Sequence, residues 1–172
     1  IRIHFEDDVE KVNEQSSIVV YTPAIPKDHK EYQYLLTKNI PMLKRSEALG
    51  KITRSSFNIC VAGTHGKTTT STLVAHILRD SGYGCNAFLG GISGNYGVNF
   101  WSDEKDTCVI EADEYDRSFL QLNPDVAVVT AMDPDHLDIY GTAEQFKEGF
   151  RQFAMKLDPK GICLQKEGLC GP

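Results

Sequence analysis

The sequence predicts an α/β fold built on a parallel sheet, and three observations carry that expectation. Asn58-Ile59-Cys60-Val61-Ala62 is a short apolar strand that runs through Gly63-Thr64-His65-Gly66-Lys67-Thr68-Thr69-Thr70 into an apolar-periodic helix. Strand-like and helix-like runs alternate along the chain, which is the order that parallel strands with crossover helices produce. Two later apolar strands, Thr107–Ile110 and Val126–Thr130, lead directly into acidic and polar residues, so chemistry gathers at the carboxyl ends of strands.

Taken in order, Ile1-Arg2-Ile3-His4-Phe5 alternates like a strand, and Ser17 to Thr22 reads as a second. Pro23 and Pro26 break the chain, Asp28 is placed to cap a helix running to Leu36, and Ile40-Pro41-Met42-Leu43 reads as another short strand. Arg45 to Ser56 is expected to be a helix and a connection. These elements make a partial Rossmann-like α/β unit, too small to be comfortable alone, and a boundary near Ser55 divides the chain into residues 1–55 and 56–172.

Beyond that boundary the helix after the glycine loop carries Leu73, Val74, Ile77 and Leu78 on one face and stops at Ser81-Gly82. Cys85 to Leu89 reads as a strand leading into the glycine-rich Gly90–Gly97 segment, which lacks the dinucleotide-binding spacing and reads on its own as a surface loop. Thr142 and Gln145 form a capping box for a helix that buries Phe146, Phe150, Phe153 and Leu157, and Ile162-Cys163-Leu164 begins a last strand.

Composition narrows the class. With 172 residues, 41% hydrophobic and 24% charged, this is an ordinary globular chain with enough apolar mass for a core. A net charge of −6 argues against a nucleic-acid or anionic-membrane partner. No apolar run approaches the roughly 20 residues that span a bilayer, and no signal peptide is recognisable. The five cysteines contain no Cys-x-x-Cys pair, and four lie in apolar runs, so buried reduced thiols in a cytoplasmic protein are expected. The chain opens without methionine inside a strand-like run, which suggests a start partway through something larger. Oligomeric state is not legible.

The glycine loop is the most chemically specific stretch. Loop and helix N–H groups without internal partners, the positive end of the helix dipole, the mobile charge of Lys67 and the hydroxyl of Thr68 together suit a nucleotide phosphate with magnesium. The nucleotide-binding candidates are therefore Gly63, Thr64, His65, Gly66, Lys67, Thr68 and Thr69. Val61 stands where the general phosphate-loop pattern has its first glycine, but the Gly66-Lys67-Thr68 core is intact. If the strands are neighbours, Glu111 converges on Thr68 as a hard oxygen ligand. His136 is open between a metal ligand and a hydrogen-bonded helix-start residue. Asp113, Glu114 and Asp116 are open between a solvated charge run and a site, and Arg117 between their ion-pair partner and an anion clamp.

Ala62 to Thr70, Glu111-Ala112-Asp113-Glu114-Tyr115-Asp116 and Asp133-Pro134-Asp135-His136-Leu137-Asp138, in that order, resemble the Mur ligases of peptidoglycan synthesis. The likeness covers nearly the whole chain, with residues 1–55 similar to the later part of the family's UDP-binding N-terminal domain and residues 56–172 to part of its central ATP-binding domain. The resemblance implies an ATP-dependent amide ligase that uses ATP and Mg2+ to join L-alanine to UDP-N-acetylmuramate through an acyl phosphate. It assigns Lys67, Glu111 and His136 to catalysis, with Lys67 on the β/γ-phosphates, Thr68 on one magnesium, and Glu111 and His136 on a second. It points the Gly90–Asn99 loop at the sugar nucleotide. It also implies that this chain lacks parts of the three-domain enzyme and would hold nucleotide without ligating. Three alternatives stay open: a recycling ligase that attaches a murein tripeptide to the same sugar nucleotide, a nucleotide switch or small-molecule kinase, and a binding piece without turnover.

Overall fold

The computed structural model describes residues 2–135 and 137–166, so Ile1, His136 and the segment 167–172, with Cys170, lie outside the described residues. The chain divides into two compact units, residues 1–48 and 49–172.

In the first unit, β1 (Val19–Tyr21) and β2 (Met42–Lys44) pair in parallel, with α1 (Lys30–Leu36) between them in sequence. This is the expected strand, helix, strand order with shorter strands. The first expectation fails: residues 2–8 form no strand, and a 3-10 turn at Val9–Lys11 follows them. The polar reason lies in Asp7, whose carboxylate accepts the N–H groups of Lys30 (2.9 Å) and Glu31 (3.0 Å) and so caps α1 from 23 residues away. Asp28 is not the cap, and His29 at the N-cap position offers no side-chain bond of its own. The segment is irregular and is tied to the helix through Asp7, not to a sheet.

The division between units falls within α2 (Arg45–Ile52). The second unit holds a six-stranded sheet: β3 (Phe57–Ala62), β4 (Asn86–Phe88), β5 (Phe100–Trp101), β6 (Thr107–Glu111), β7 (Val126–Val129) and β8 (Ile162–Gln165). Their spatial order is β5-β4-β6-β3-β7-β8, all parallel except the β4/β5 pair. The predicted parallel sheet is therefore present, with β3 at its centre between β6 and β7. Cys60, Val61 and Ala62 are fully buried, as a strand covered on both faces requires.

Helix α3 (Lys67–Asp80) covers one face, and it turns differently from the expectation. Ser71 and Ala75 are its buried residues and Val74 and Leu78 pack against the core, while Leu73 and Ile77 are 55% and 56% exposed. Small residues let the helix sit close on β6 and β4, and that contact, not the largest side chains, sets its rotation. Its end is as predicted, with Ser81 capping and Gly82 in the left-handed region at φ 77°.

The other face is sealed by α5 (Ala143–Ala154), whose Phe146, Phe150 and Phe153 are buried with Phe119 and Tyr140. Thr142 Oγ1 accepts the Gln145 N–H at 3.2 Å, which starts the helix where the capping pattern placed it. The short α4 (Leu137–Tyr140) and the 3-10 stretch Tyr115–Gln121 carried no sequence signal strong enough to predict them. The thiols of Cys60, Cys85 and Cys108 are buried, and burial pushes all three above the usual thiol range. Cys163 departs from the expectation of burial, since β8 is an edge strand with every residue exposed. No described helix is long and apolar enough to cross a membrane.

Candidate functional site

The loop between β3 and α3 leaves the sheet at its carboxyl edge, in the middle of the six strands. Gly63 takes φ 136° with its backbone pressed against Thr130 and Ala131, where a side chain would overlap the Thr130 hydroxyl. The loop is then tied to the end of β7: Thr64 N–H donates to the Ala131 carbonyl at 3.1 Å, and Asp133 N–H donates to Thr64 Oγ1 at 3.2 Å. The Thr130 hydroxyl reaches the carbonyls of Ala62 and His65. Gly66 ends the loop in the left-handed region (φ 81°) as the N-cap of α3 and supplies no side-chain cap. The first-turn N–H groups of α3 are thus directed out of the helix beside the glycine loop, with the positive end of the helix dipole behind them.

Lys67 and Thr68, the first two residues of α3, face two different carboxylates. Thr68 Oγ1 donates to Glu111 Oε1 at 2.8 Å, so the convergence of β3 and β6 expected from the sequence is realised in one hydrogen bond. The other oxygen, Oε2, accepts the Gly90 N–H at 2.7 Å and lies 3.5 Å from Ser71 Oγ. A Cβ at Gly90 would overlap that carboxylate, and one at Gly91 would come within 3.1 Å of the Thr68 methyl. The Gly90–Gly97 segment therefore borders the site through its own backbone.

Lys67 Nζ donates to the Gly63 carbonyl at 2.7 Å and to Glu114 Oε1 at 2.9 Å. Glu114 is buried at 1% exposure, and its backbone carbonyl accepts the Tyr140 hydroxyl at 2.7 Å. Burial, with the Glu114 charge beside it, pushes the Tyr140 phenol up to about 12. Just beyond, Asp116 and Arg117 both hold positive φ (51° and 54°), a strained conformation for residues with side chains. The Arg117 guanidinium lies over the Tyr140 ring at 5.2 Å.

Of the residues expected at the site, Gly63 to Thr69 and Glu111 meet at one sheet edge, with His65 exposed and its ring 4.0 Å from Asp133. His136 lies outside the described residues. Glu114, left open in the sequence reading, and Gly90, the start of the loop pointed at the sugar nucleotide, complete the neighbourhood with Ser71, Thr130 and Tyr140, which were not singled out. The signal for Glu114 was its place in the acidic run, but nothing in an irregular loop tells a buried acid from a solvated one. Among the described residues no three His, Cys, Asp or Glu side chains gather as a metal site. The Thr68 hydroxyl and the Glu111 carboxylate each present a hard oxygen at the mouth of the loop, the donor type that suits Mg2+, which keeps waters and takes only one or two protein ligands beside phosphates.

A parallel α/β sheet with a glycine-bridged strand-to-helix turn at its carboxyl edge and a lysine and threonine on the first helical turn defines the class: a fold shaped to take an anionic ligand at that edge. The chain belongs to the Mur ligase family. The Mur ligase middle domain matches residues 61–166, and the pattern described as Mur ligase family, catalytic domain, matches residues 1–57. The chain is 50% identical over 173 residues to the UDP-N-acetylmuramate–L-alanine ligase of Phocaeicola vulgatus and 49% identical over 174 residues to that of Porphyromonas gingivalis. Those alignments cover 97% and 98% of this chain but 38% of each relative. The fold is similar to that of the UDP-N-acetylmuramate:L-alanyl-gamma-D-glutamyl-meso-diaminopimelate ligase of Neisseria meningitides (TM-score 0.85, 23% identity, 96% of this chain and 56% of that one). It is also similar to that of the UDP-N-acetylmuramate-alanine ligase of Thermotoga maritima (TM-score 0.83, 24% identity, 95% and 38%).

Proposed function

We propose that the chain supplies the ATP-phosphate site of a cytoplasmic ligase that joins L-alanine to UDP-N-acetylmuramate in peptidoglycan synthesis. The observation that carries this is the meeting of Lys67, Thr68 and Glu111 at the glycine loop, in a chain about half identical to ligases of that name. Ligation by this route transfers the γ-phosphoryl group to the muramyl carboxylate, and the amine of L-alanine then displaces phosphate from the acyl carbon. The loop N–H groups and Lys67 bind and orient the β/γ-phosphates and balance the charge that moves between them. Thr68 would hold one Mg2+, and Glu111 with His136 a second. These ions would screen the carboxylate and phosphate from each other as they approach. Gly90, bonded to Glu111, sets the position of the loop assigned to the sugar nucleotide.

In this reading residues 1–55 belong to the UDP-binding domain and residues 56–172 to the ATP-binding domain. The chain spans under two-fifths of the length of the curated relatives it matches. By itself it is expected to hold nucleotide and not to ligate, because turnover needs an acceptor site closed over the phosphates to exclude water. Calorimetric titration with Mg-ATP tests the reading. Binding should be measurable and should weaken on the order of tenfold to a hundredfold in Lys67→Ala, the scale of charged hydrogen bonds lost. Binding unchanged in Lys67→Ala refutes the phosphate site. Alanine-dependent phosphate release over many turnovers, abolished by that substitution, refutes the expectation of an inert chain.

A further inference from the structure

The acidic run holds a buried carboxylate, Glu114, for which the proposed function has no task. Glu114 Oε1 accepts from Lys67 at 2.9 Å, and Oε2 lies 2.8 Å from the same nitrogen in ion-pair contact. The two side chains are 2% and 15% exposed. A carboxylate this deep is costly unless paired, and its partner is the lysine on which the phosphate site depends. Gly63 O and Glu114 crowd the ammonium from the protein side. A polyphosphate reaching the loop must draw Lys67 toward itself, and the contact it competes with is another anion.

Glu114 is poorly placed to follow the lysine. Its carbonyl is fastened by the Tyr140 hydroxyl, and the chain leaves it through the two left-handed residues Asp116 and Arg117. We propose that Glu114 is a positioning residue that acts through Lys67: it neutralises the lysine before a polyphosphate arrives, and a phosphate oxygen takes its place on binding. The lysine charge is then paired at every stage, whereas Glu114 gives up its partner on binding, and that cost makes the loop bind polyphosphate more weakly than its geometry alone would allow. The inference rests on the phosphate-site reading above.

Inorganic triphosphate, which reports on the phosphate site without adenine or sugar contacts, is the probe. Its affinity is measured for the chain, for Glu114→Gln, for Lys67→Ala and for the double variant. Glu114→Gln should tighten binding on the order of tenfold, since it removes one unit charge a few ångströms from the ligand. The gain should vanish in the Lys67→Ala background, a dependence that a purely structural role for Glu114 would not produce. Unchanged or weaker binding in a Glu114→Gln chain with native circular dichroism and melting overturns the proposal, as does an equal gain without Lys67. Should Glu114→Gln fail to fold, the wild-type chain decides. The carboxyl-carbon NMR resonance of Glu114 should move on saturation with triphosphate, and a resonance that stays in place at saturation overturns the proposal. A wild-type chain that binds no triphosphate refutes the phosphate-site reading itself, whereas binding without a Glu114 effect refutes only this inference.

Discussion

The two compact units hold themselves together by different physics. Among residues 2–48 not one is buried, and the described contacts that organise the unit are largely polar: Asp7 on the start of α1, Glu31 on the Asp8 N–H and His4, and Glu14 with Tyr34 and Lys38. The second unit buries two apolar clusters, one of them holding the packed rings of Phe119, Phe146, Phe150, Phe153 and Tyr140. Surface ion pairs contribute little each and weaken with salt, whereas aromatic burial contributes several kcal/mol per side chain. The contrast teaches where a phosphate site can be built. Holding Glu111 and Glu114 against Lys67 and Thr68 requires a frame that does not yield to the charges it carries, and only the second unit has one.

The largest expected effect is on that frame. Phe150→Ala should destabilise the second unit by about 3–5 kcal/mol, the cost of a large cavity in an aromatic core. Segment-resolved amide exchange should show β3, β6 and β7 losing protection while residues 19–44 keep theirs. Equal loss in both units would break the comparison by showing one cooperative body.

Next in size is Tyr140→Phe, which leaves the Glu114 carbonyl without its buried donor and should cost about 1–3 kcal/mol, read from denaturant unfolding. It should also change the alkaline limb. The folded phenol is raised to about 12 by burial first and the Glu114 charge second, so the stability it represents is whole below the ordinary tyrosine value near 10 and is lost as pH rises toward 12. The variant should lose stability less steeply across that window, and an unchanged slope would show that Tyr140 does not set it.

Acid should act on the other unit. The N–H groups of Lys30 and Glu31 hold Asp7 below the usual carboxylate range, and the Tyr34 hydroxyl followed by Lys38 does the same for Glu14. Burial pushes Glu31 up, but the Asp8 N–H and His4 together outweigh it and leave it lowered. Depressed carboxylates give stability that is present above their ordinary values near 4 and is lost as pH falls through the folded ones. Exchange in residues 19–44 should therefore quicken below about pH 4 before the sheet of the second unit responds. Sheet and first unit opening together would remove the distinction.

The smallest effect sharpens the same contrast. Asp7→Asn keeps the shape but not the charge of the α1 cap, and faster exchange confined to Lys30 and Glu31 would show how local the first unit's fastenings are. Spread of the effect to β1 would show a more cooperative unit than its exposure suggests.

What could be known from the sequence follows the range of the interactions involved. The path from β3 through the glycine loop to α3, the stop at Ser81-Gly82 and the Thr142 start of α5 depend on neighbours within a few residues, so composition and spacing were enough to place them. That β3, β6 and β7 share a parallel sheet with its ligand edge at the carboxyl ends also followed, because a buried strand must be apolar throughout, but that β6 lies next to β3, and so brings Glu111 to Thr68, was settled by the fold. Tertiary structure alone decided the rest. Asp7 carried no capping signal because its helix begins 23 residues later, and α3 turned Leu73 and Ile77 outward because small Ser71 and Ala75 allow the closest approach to the sheet. Glu114 looked no different from Asp113 or Asp116, and only a lysine 47 residues away, brought beside it by the pairing of β3 with β6, made it the acid that is buried. An irregular segment has no period to read, so which of its charges faces inward is fixed by what the fold places opposite it.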